Sequence, residues 1–274
     1  MTAFFNNVKT VILLGGLTGL IVAVGAMLGK QFILPFLIMA VIMNFGVWFF
    51  SDKLAIASMR CQPVDSGHEL SKMVEELSRR AGLPMPKVYL APHDAPNAFA
   101  TGRSPSHAAV CVTNGAMELL SRDELAGVIG HELAHIKNRD TLTSAIAATV
   151  SGVLATVAQW GFLLGGNREN SNPLMAFLTI ILAAVGAALI KASISRSREY
   201  VADADGARIA GSPRGLISAL QKLEMYSQRI PLHQPNPAMN NMFIVEPMMG
   251  ESLVRMFATH PPTEKRIAAL SRLG

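Results

Sequence analysis

The sequence predicts a mainly α-helical protein with a small β-sheet, its soluble part carried on a four-helix transmembrane anchor. Three observations lead there. Half of the 274 residues are hydrophobic and only 16% are charged, against about 25% in an average soluble chain. The uncharged residues are gathered into four long runs rather than spread along the chain. Between the runs, apolar residues recur at helical spacing, apart from three short strand-like stretches.

The runs come first. Lys9 and Lys30 enclose 20 residues without a charge, Lys30 and Asp52 enclose 21, Asp140 and Arg168 enclose 27, and Glu169 and Lys191 enclose 21. A bilayer core takes about 20 apolar residues of helix, because every backbone polar group must be satisfied within the segment. A cleaved signal peptide over 10–29 is disfavoured, since a second run begins right after Lys30 and Gln31. The third and fourth runs can also be read as buried helices of a large soluble domain. Their alanines and glycines suit close helix packing in either setting.

If all four runs span, every Lys and Arg except Lys30 and Arg168 lies on one side. Positive-inside bias then places both termini and both soluble segments in the cytoplasm, with Trp48 and Trp160 near opposite interfaces. The net charge of +5 is explained by this orientation, and no basic, aromatic-interleaved stripe points to nucleic acid. The expected organisation is two N-terminal spans (1–51), a cytoplasmic segment (52–140), a transmembrane hairpin (141–190) and a second cytoplasmic segment (191–274). Disorder is excluded by the composition. Cys61 and Cys111 are too few for a disulfide framework or a cysteine zinc site, so any metal is held by histidines and carboxylates.

In the first soluble segment, Ser66 and Glu69 have capping-box spacing. Leu70, Met73, Val74, Leu77 and Ala81 give the following helix one apolar face, and Gly82 and Pro84 end it. Strands are expected at Lys87–Leu90, Asn97–Thr101 and Ala108–Thr113, with a turn at Asn114-Gly115. Ser121 and Glu124 repeat the capping-box spacing and open a helix that runs through His135. In the second segment residues 196–210 are helical in pattern, and Ser212-Pro213 starts another helix. Met242–Val245 is a short strand candidate, and Thr263 caps a final helix.

The chemistry lies in His131-Glu132-Leu133-Ala134-His135, an H-E-x-x-H pattern. A chain of this composition yields fewer than about 0.01 chance matches. Histidines at i and i+4 share a helix face, where both imidazoles can converge on one Zn²⁺. Glu132, next to the first histidine, reaches water without ligating. Bound zinc brings the pKa of water to about 7, and Glu132 takes the proton as the water attacks a carbonyl. The competing reading is a pair of core histidines one turn apart. A metzincin needs glycine at 138 and histidine at 141, where the chain has Asn138 and Thr141, so that class is excluded.

The third ligand candidate is Glu199, with Asp203 one turn further on. Glu199 would ligate while Asp203 accepts the spare N–H of a ligand histidine. The alternative is a solvated helix face with Arg198 and Arg208 as ion partners. The membrane hairpin favours the first reading, because it returns the chain to the side where His135 left it. His260, before Pro261-Pro262, is a candidate oxyanion donor, a role worth roughly 3 kcal/mol, or else a surface histidine. Residues 97–101, with Asn97, Ala98 and Phe99 leading, form either an edge strand that pairs with an extended substrate or an ordinary core strand.

These residues resemble a known family. Asn97-Ala98-Phe99-Ala100-Thr101-Gly102, Asp123-Glu124-Leu125 through His135 and Asp140, Ser197–Asp203, and Thr259-His260-Pro261-Pro262 are similar to the HtpX family. Its members are bacterial membrane zinc proteases related to the CAAX prenyl endopeptidases. The resemblance spans nearly the whole chain, with highest specificity between about residues 95 and 140.

The resemblance implies a zincin-like, gluzincin-type endopeptidase of the inner membrane, multi-pass, with cytoplasmic termini and active site. Its partners would be the bilayer and misfolded or damaged membrane proteins, degraded under heat and envelope stress. One zinc per chain would be bound by His131, His135 and Glu199, with Glu132 as general base and Asp203 orienting a ligand. His260 would contribute to transition-state binding, and Asn97, Ala98 and Phe99 to the substrate strand. Self-cleavage is a further expectation. Two other functions compete: a processing protease of lipidated or membrane-associated tails, and a transporter or scaffold. The second is weakened by the absence of ionisable residues inside the four runs.

Overall fold

The computed structural model describes residues 2–143, 146, 196–229 and 261–273. Two long helices lead, α1 (Thr2–Leu28) and, after a 3-10 turn at Lys30–Phe32, α2 (Ile33–Ser58). They lie side by side. Asn44 of α2 donates to the Leu14 carbonyl (3.0 Å) and to the Thr18 hydroxyl (2.6 Å) of α1, so its amide N–H groups are satisfied within the helix pair. Among the described residues one stretch, Lys30–Phe50, is a helix long and apolar enough to cross a membrane, and Thr10–Ala23 is a shorter apolar helix. The fourth apolar run, all of the third beyond 141–143 and 146, Trp160, Met242–Val245 and His260 lie outside the described residues.

A four-stranded mixed sheet follows, made of β1 (Gln62–Pro63), β2 (Lys87–Ala91), β3 (Ala98–Gly102) and β4 (Ala108–Thr113). The spatial order is β1-β2-β4-β3. The β2–β4 pair is parallel, with Tyr89 opposite Cys111, and β3 runs antiparallel to β4, with Ala100 opposite Val110. The three expected strands are present within one residue at their ends. The two-residue β1, too short to show any alternation, was not legible.

The helices are α3 (Glu69–Ala81), α4 (Asn114–Leu119), α5 (Arg122–Asn138), α6 (Arg196–Ala210), α7 (Pro213–Arg229) and α8 (Thr263–Leu270). Three local expectations are corrected. The cap of α3 is His68, whose Nδ1 accepts from the Leu70 N–H at 3.1 Å, rather than Ser66. Asn114-Gly115 opens α4 instead of a turn, because the Thr113 hydroxyl accepts from the Ala116 N–H at 3.2 Å. Thr263 is the first residue of α8, whose cap position is Pro262.

Alternation along the strands splits the sheet into two apolar faces. Val110 and Val112 face the helical layer, packing with Leu70 and Val74 of α3, Leu133 of α5 and Leu220 of α7. Phe99 and Cys111 face the other way, against Ala55 of α2 and Met59 just beyond it. Full burial of one such aliphatic side chain contributes about 1.5–3 kcal/mol. The end of the apolar helix is thereby docked onto the sheet. Helix α5 sits at the centre of the helical layer, packed on α6 and α7.

Candidate active site

Helix α5 is fixed at both ends. Ser121 accepts from the Glu124 N–H while Glu124 accepts from the Ser121 N–H at 2.7 Å, a complete capping box. The same Glu124 carboxylate accepts from Ser218 (2.6 Å) and Lys222 (2.7 Å) of α7. Burial alone would raise its pKa, but Lys222, Ser218 and the Ser121 N–H hold it at about 2. At the other end Arg139 adopts the left-handed conformation (φ 58°), which ends α5 and turns Asp140 back toward His135.

Helix α6 lies unusually close to α5. A Cβ on Gly206 would stand 2.7 Å from the His131 backbone N and Cα, and one on Gly130 would stand 2.6 Å from the Gly206 carbonyl oxygen. Only glycine at both positions allows this approach, and it carries Glu199 and Asp203 of α6 to the histidines. The ligand-capable atoms of His131, His135 and Glu199 all lie within 4.8 Å of one another. His131 Nε2 and His135 Nε2 are 3.1 Å apart. The Glu199 carboxylate oxygens are 3.6 Å from the first and 3.5 Å from the second.

The protons on the two imidazoles are assigned by their outer partners. Asp203 Oδ1 is 2.9 Å from His131 Nδ1, and Asp140 Oδ2 is 3.1 Å from His135 Nδ1. An ionised carboxylate only accepts, so each Nδ1 carries the hydrogen and each Nε2 presents a lone pair. Two lone pairs and a carboxylate therefore converge in a buried space, where they repel unless a cation sits between them. Ligands held about 2.0–2.1 Å from one tetrahedral zinc stand about 3.3–3.4 Å from each other, close to the spacings here. The donor set and its spacing fit a zinc-type metal.

Each aspartate is itself held by an arginine. Arg266 of α8, only 1% exposed, donates from Nε to Asp203 Oδ2 (2.9 Å) and from a terminal nitrogen to Oδ1 (2.6 Å). Arg198 lies 3.1 Å from Asp140 Oδ1. Burial alone would raise the pKa of Asp203, but its bonds to Arg266 and His131 hold it at about 2. Burial likewise lowers His135, yet Glu199, the Asp140 hydrogen bond and the Glu132 charge raise it to about 9, so its Nε2 faces Glu199 with either a proton or a metal cation on that lone pair. The field at this point favours positive charge.

Glu132 points to β3, where its Oε2 accepts from the Ala100 N–H at 2.8 Å. Strand β3 is the sheet edge on that side. Asn97 is buried just before it, its N–H donating to the Thr113 hydroxyl at 2.8 Å. Ala98 and Phe99 are buried too, and the Phe99 ring belongs to the α2 side of the core. The Asn97 carbonyl accepts from the Thr113 N–H at 2.9 Å, so its backbone is taken up on the β4 side, while Ala98 shares with Ala100 the side of the strand that faces away from β4. The structure brings His131, Glu132, His135, Glu199 and Asp203 together at the edge of β3, while His260 lies outside the described residues.

Two parts of this arrangement were missed in the sequence. Asp140, five residues after His135, has no helical spacing to mark it, because a left-handed turn and not a helical repeat brings it back. Arg266 carries no signal, since a buried arginine looks like any surface arginine on a short helix. Arg198 is not an ion partner on a solvated face: it is buried, and the aspartate it pairs with belongs to the site. Arg208 pairs with Asp205 at 2.6 Å, away from the metal ligands.

A paired-histidine helix with a carboxylate from a second helix and a glutamate beside the ligands defines a metallopeptidase. Residues 66–273 match the model of peptidase family M48, and the chain belongs to that family. It is 50% identical over 277 residues to a protease HtpX homolog of Desulfatibacillum aliphaticivorans, covering 97% of this chain and 89% of the relative. The HtpX homolog of Pyrococcus furiosus is 47% identical over 277 residues, covering 97% and 96%. The crystal structure of S. mikatae Ste24p shares the fold, with a TM-score of 0.54 at 18% identity, over 98% of this chain and 66% of that one.

Proposed function

We propose that the protein is an integral-membrane zinc endopeptidase that cleaves misfolded or damaged membrane proteins at the cytoplasmic face under heat and envelope stress. The observation that carries the reading is the convergence of His131 Nε2, His135 Nε2 and Glu199, with both outer nitrogens held by aspartates. His131, His135 and Glu199 would hold one zinc, which supplies a Lewis acid and a low pKa for attacking water. Glu132 takes the proton from that water and passes it to the leaving amine. Its position between the metal ligands and β3 supports this role. Asp203 keeps the His131 imidazole oriented, an effect that commonly amounts to 10–100-fold in metal affinity or activity. Residues 97–99 and the rest of β3 offer an edge for an extended peptide, and His260 is assigned the oxyanion donor.

The apolar helix Lys30–Phe50 and the charge-free runs support a multi-pass protein of the bacterial inner membrane. In this reading, spans at 1–51 and 141–190 anchor cytoplasmic segments 52–140 and 191–274, with both termini and the site on the cytoplasmic side. The test is cleavage of casein by detergent-purified protein, with zinc restored after chelation and Glu132→Gln alongside. Zinc bound by both and cleavage by the wild type alone is the expected result. Turnover by the metal-loaded Glu132→Gln variant would remove Glu132 from its role. Zinc bound by both with casein cut by neither would point to a narrow processing enzyme.

A further inference from the structure

Helix α5 and the residues just after it touch the outer edge of β3 at two levels. Strand β3 bonds β4 through alternate residues, beginning with the Thr113 N–H to the Asn97 carbonyl at 2.9 Å. Ala98, Ala100 and Gly102 therefore turn their backbone groups away from β4. At the first level the Ala100 N–H donates to Glu132 Oε2 at 2.8 Å. At the second the Gly102 carbonyl accepts from the Thr141 hydroxyl at 3.1 Å. The two levels are two residues apart, about 6.6 Å at 3.3 Å per residue.

The second contact is held from both sides. Gly102 is at φ 138°, and a Cβ there would stand 2.3 Å from the His107 carbonyl oxygen, so only glycine brings the end of β3 this close to His107. On the other side, the left-handed turn at Arg139 that returns Asp140 to His135 also delivers Thr141 to Gly102. Asp140 is paired with Arg198 as well, and the Thr143 hydroxyl is 3.1 Å from that of Thr10 in α1. Thr141 is 8% exposed and lies between these two tethered neighbours. Moving its hydroxyl off the edge would pull on the aspartate that orients His135.

An extended peptide laid along this edge has its scissile carbonyl at the level of Ala100, beside Glu132 and the metal ligands. Toward Ala98 its backbone meets backbone. Toward Gly102 the acceptor that its next N–H needs is already taken by Thr141. We propose that Thr141 is a specificity-determining residue that ends the pairing edge of β3 after Ala100, so that substrate backbone is gripped on one flank of the cut bond only. The inference rests on the endopeptidase reading above and adds to it which flank length counts in recognition. Because Asp140 and Thr141 belong to one turn, the stop keeps a fixed distance from the metal ligands.

The test uses the full chain, loaded with zinc, in detergent. A peptide centred on a casein bond that the wild type cuts is lengthened in pairs of residues, on one flank and then on the other. In the wild type, kcat/KM is expected to rise with length on one flank and to stay flat on the other. Thr141→Ala frees the Gly102 carbonyl, and the flat flank should then gain about 3–10-fold from the first added pair, the effect of one hydrogen bond. Thr141→Ser differs from it only in keeping the hydroxyl, and that flank should stay flat. The readout is a ratio between longer and shorter peptides in one variant, so a purely structural tie would lower both alike and leave the ratio unmoved. Gains on both flanks of the wild type or on neither, or a flat flank that Thr141→Ala leaves flat, overturn the inference. Failure of the wild type to cut casein at all would instead overturn the endopeptidase reading, and this inference with it.

Discussion

Arg266→Gln removes a guanidinium that is buried, doubly bonded to Asp203 and 3.5 Å from His131 Nδ1. Breaking one partner of a buried ion pair costs about 3–5 kcal/mol, because the remaining charge stays desolvated. A chain of this size loses about 2–4 °C of Tm per kcal/mol, so a melt in detergent should fall by roughly 6–20 °C. Asp203 would no longer be fixed, and neither would the imidazole it orients. Zinc affinity, read by competition with a chelator, should drop about 10–100-fold. Arg266→Lys keeps the charge without the two-pronged geometry and should lie between wild type and Arg266→Gln on both scales. Combining Arg266→Gln with Asp203→Asn should cost less than the sum of the single changes, since neither group is then left as a bare charge. An Arg266→Gln protein with wild-type Tm and wild-type zinc affinity would refute the idea that α8 holds the metal site in register.

Other changes follow from the same geometry. Glu199→Ala should reduce zinc content by orders of magnitude in metal analysis of the purified protein, and unchanged content would move the third ligand elsewhere. Gly206→Ala places a methyl group against the His131 backbone, so α6 must shift. A loss of about 1–3 kcal/mol in stability with weakened zinc binding is expected, and a neutral result in both would contradict the close approach of α5 and α6. The Glu124 carboxylate, held at about 2 in the fold, stabilises the protein fully above its ordinary range near 4.5 and loses that contribution as pH falls toward 2. Discounted for the half-exposed Lys222, the contribution is about 2 kcal/mol. Acid unfolding of Glu124→Gln should accordingly be flatter across this range than that of wild type.

Local patterns carried much of this protein. The complete capping box at Ser121 and Glu124, the shared face of His131 and His135, and the helix with Glu199 and Asp203 one turn apart all follow from helical spacing, which a linear sequence records. The strands were legible for the same reason: β-branched and apolar residues bounded by turn formers. Cap positions were less secure. His68 and Thr113 compete with nearby residues for the same backbone N–H groups, and only the path of the chain decides which of them bonds.

What the sequence by itself determined is the chemistry available: two histidines and a glutamate on one helix, carboxylates on another, and long apolar runs, one of which forms a helix long and apolar enough to cross a membrane. What only the tertiary structure decided is how distant residues share charge. Asp140 reaches His135 through a left-handed turn, and Arg266, 63 residues beyond Asp203, closes the second histidine relay from the last helix. Glu132 meets the Ala100 N–H because β3 is the edge of the sheet. These contacts depend on close packing at Gly130 and Gly206 and on burial that makes an unpaired charge too costly to leave. Neither condition has any periodicity in the chain, so neither can be read before the helices are placed.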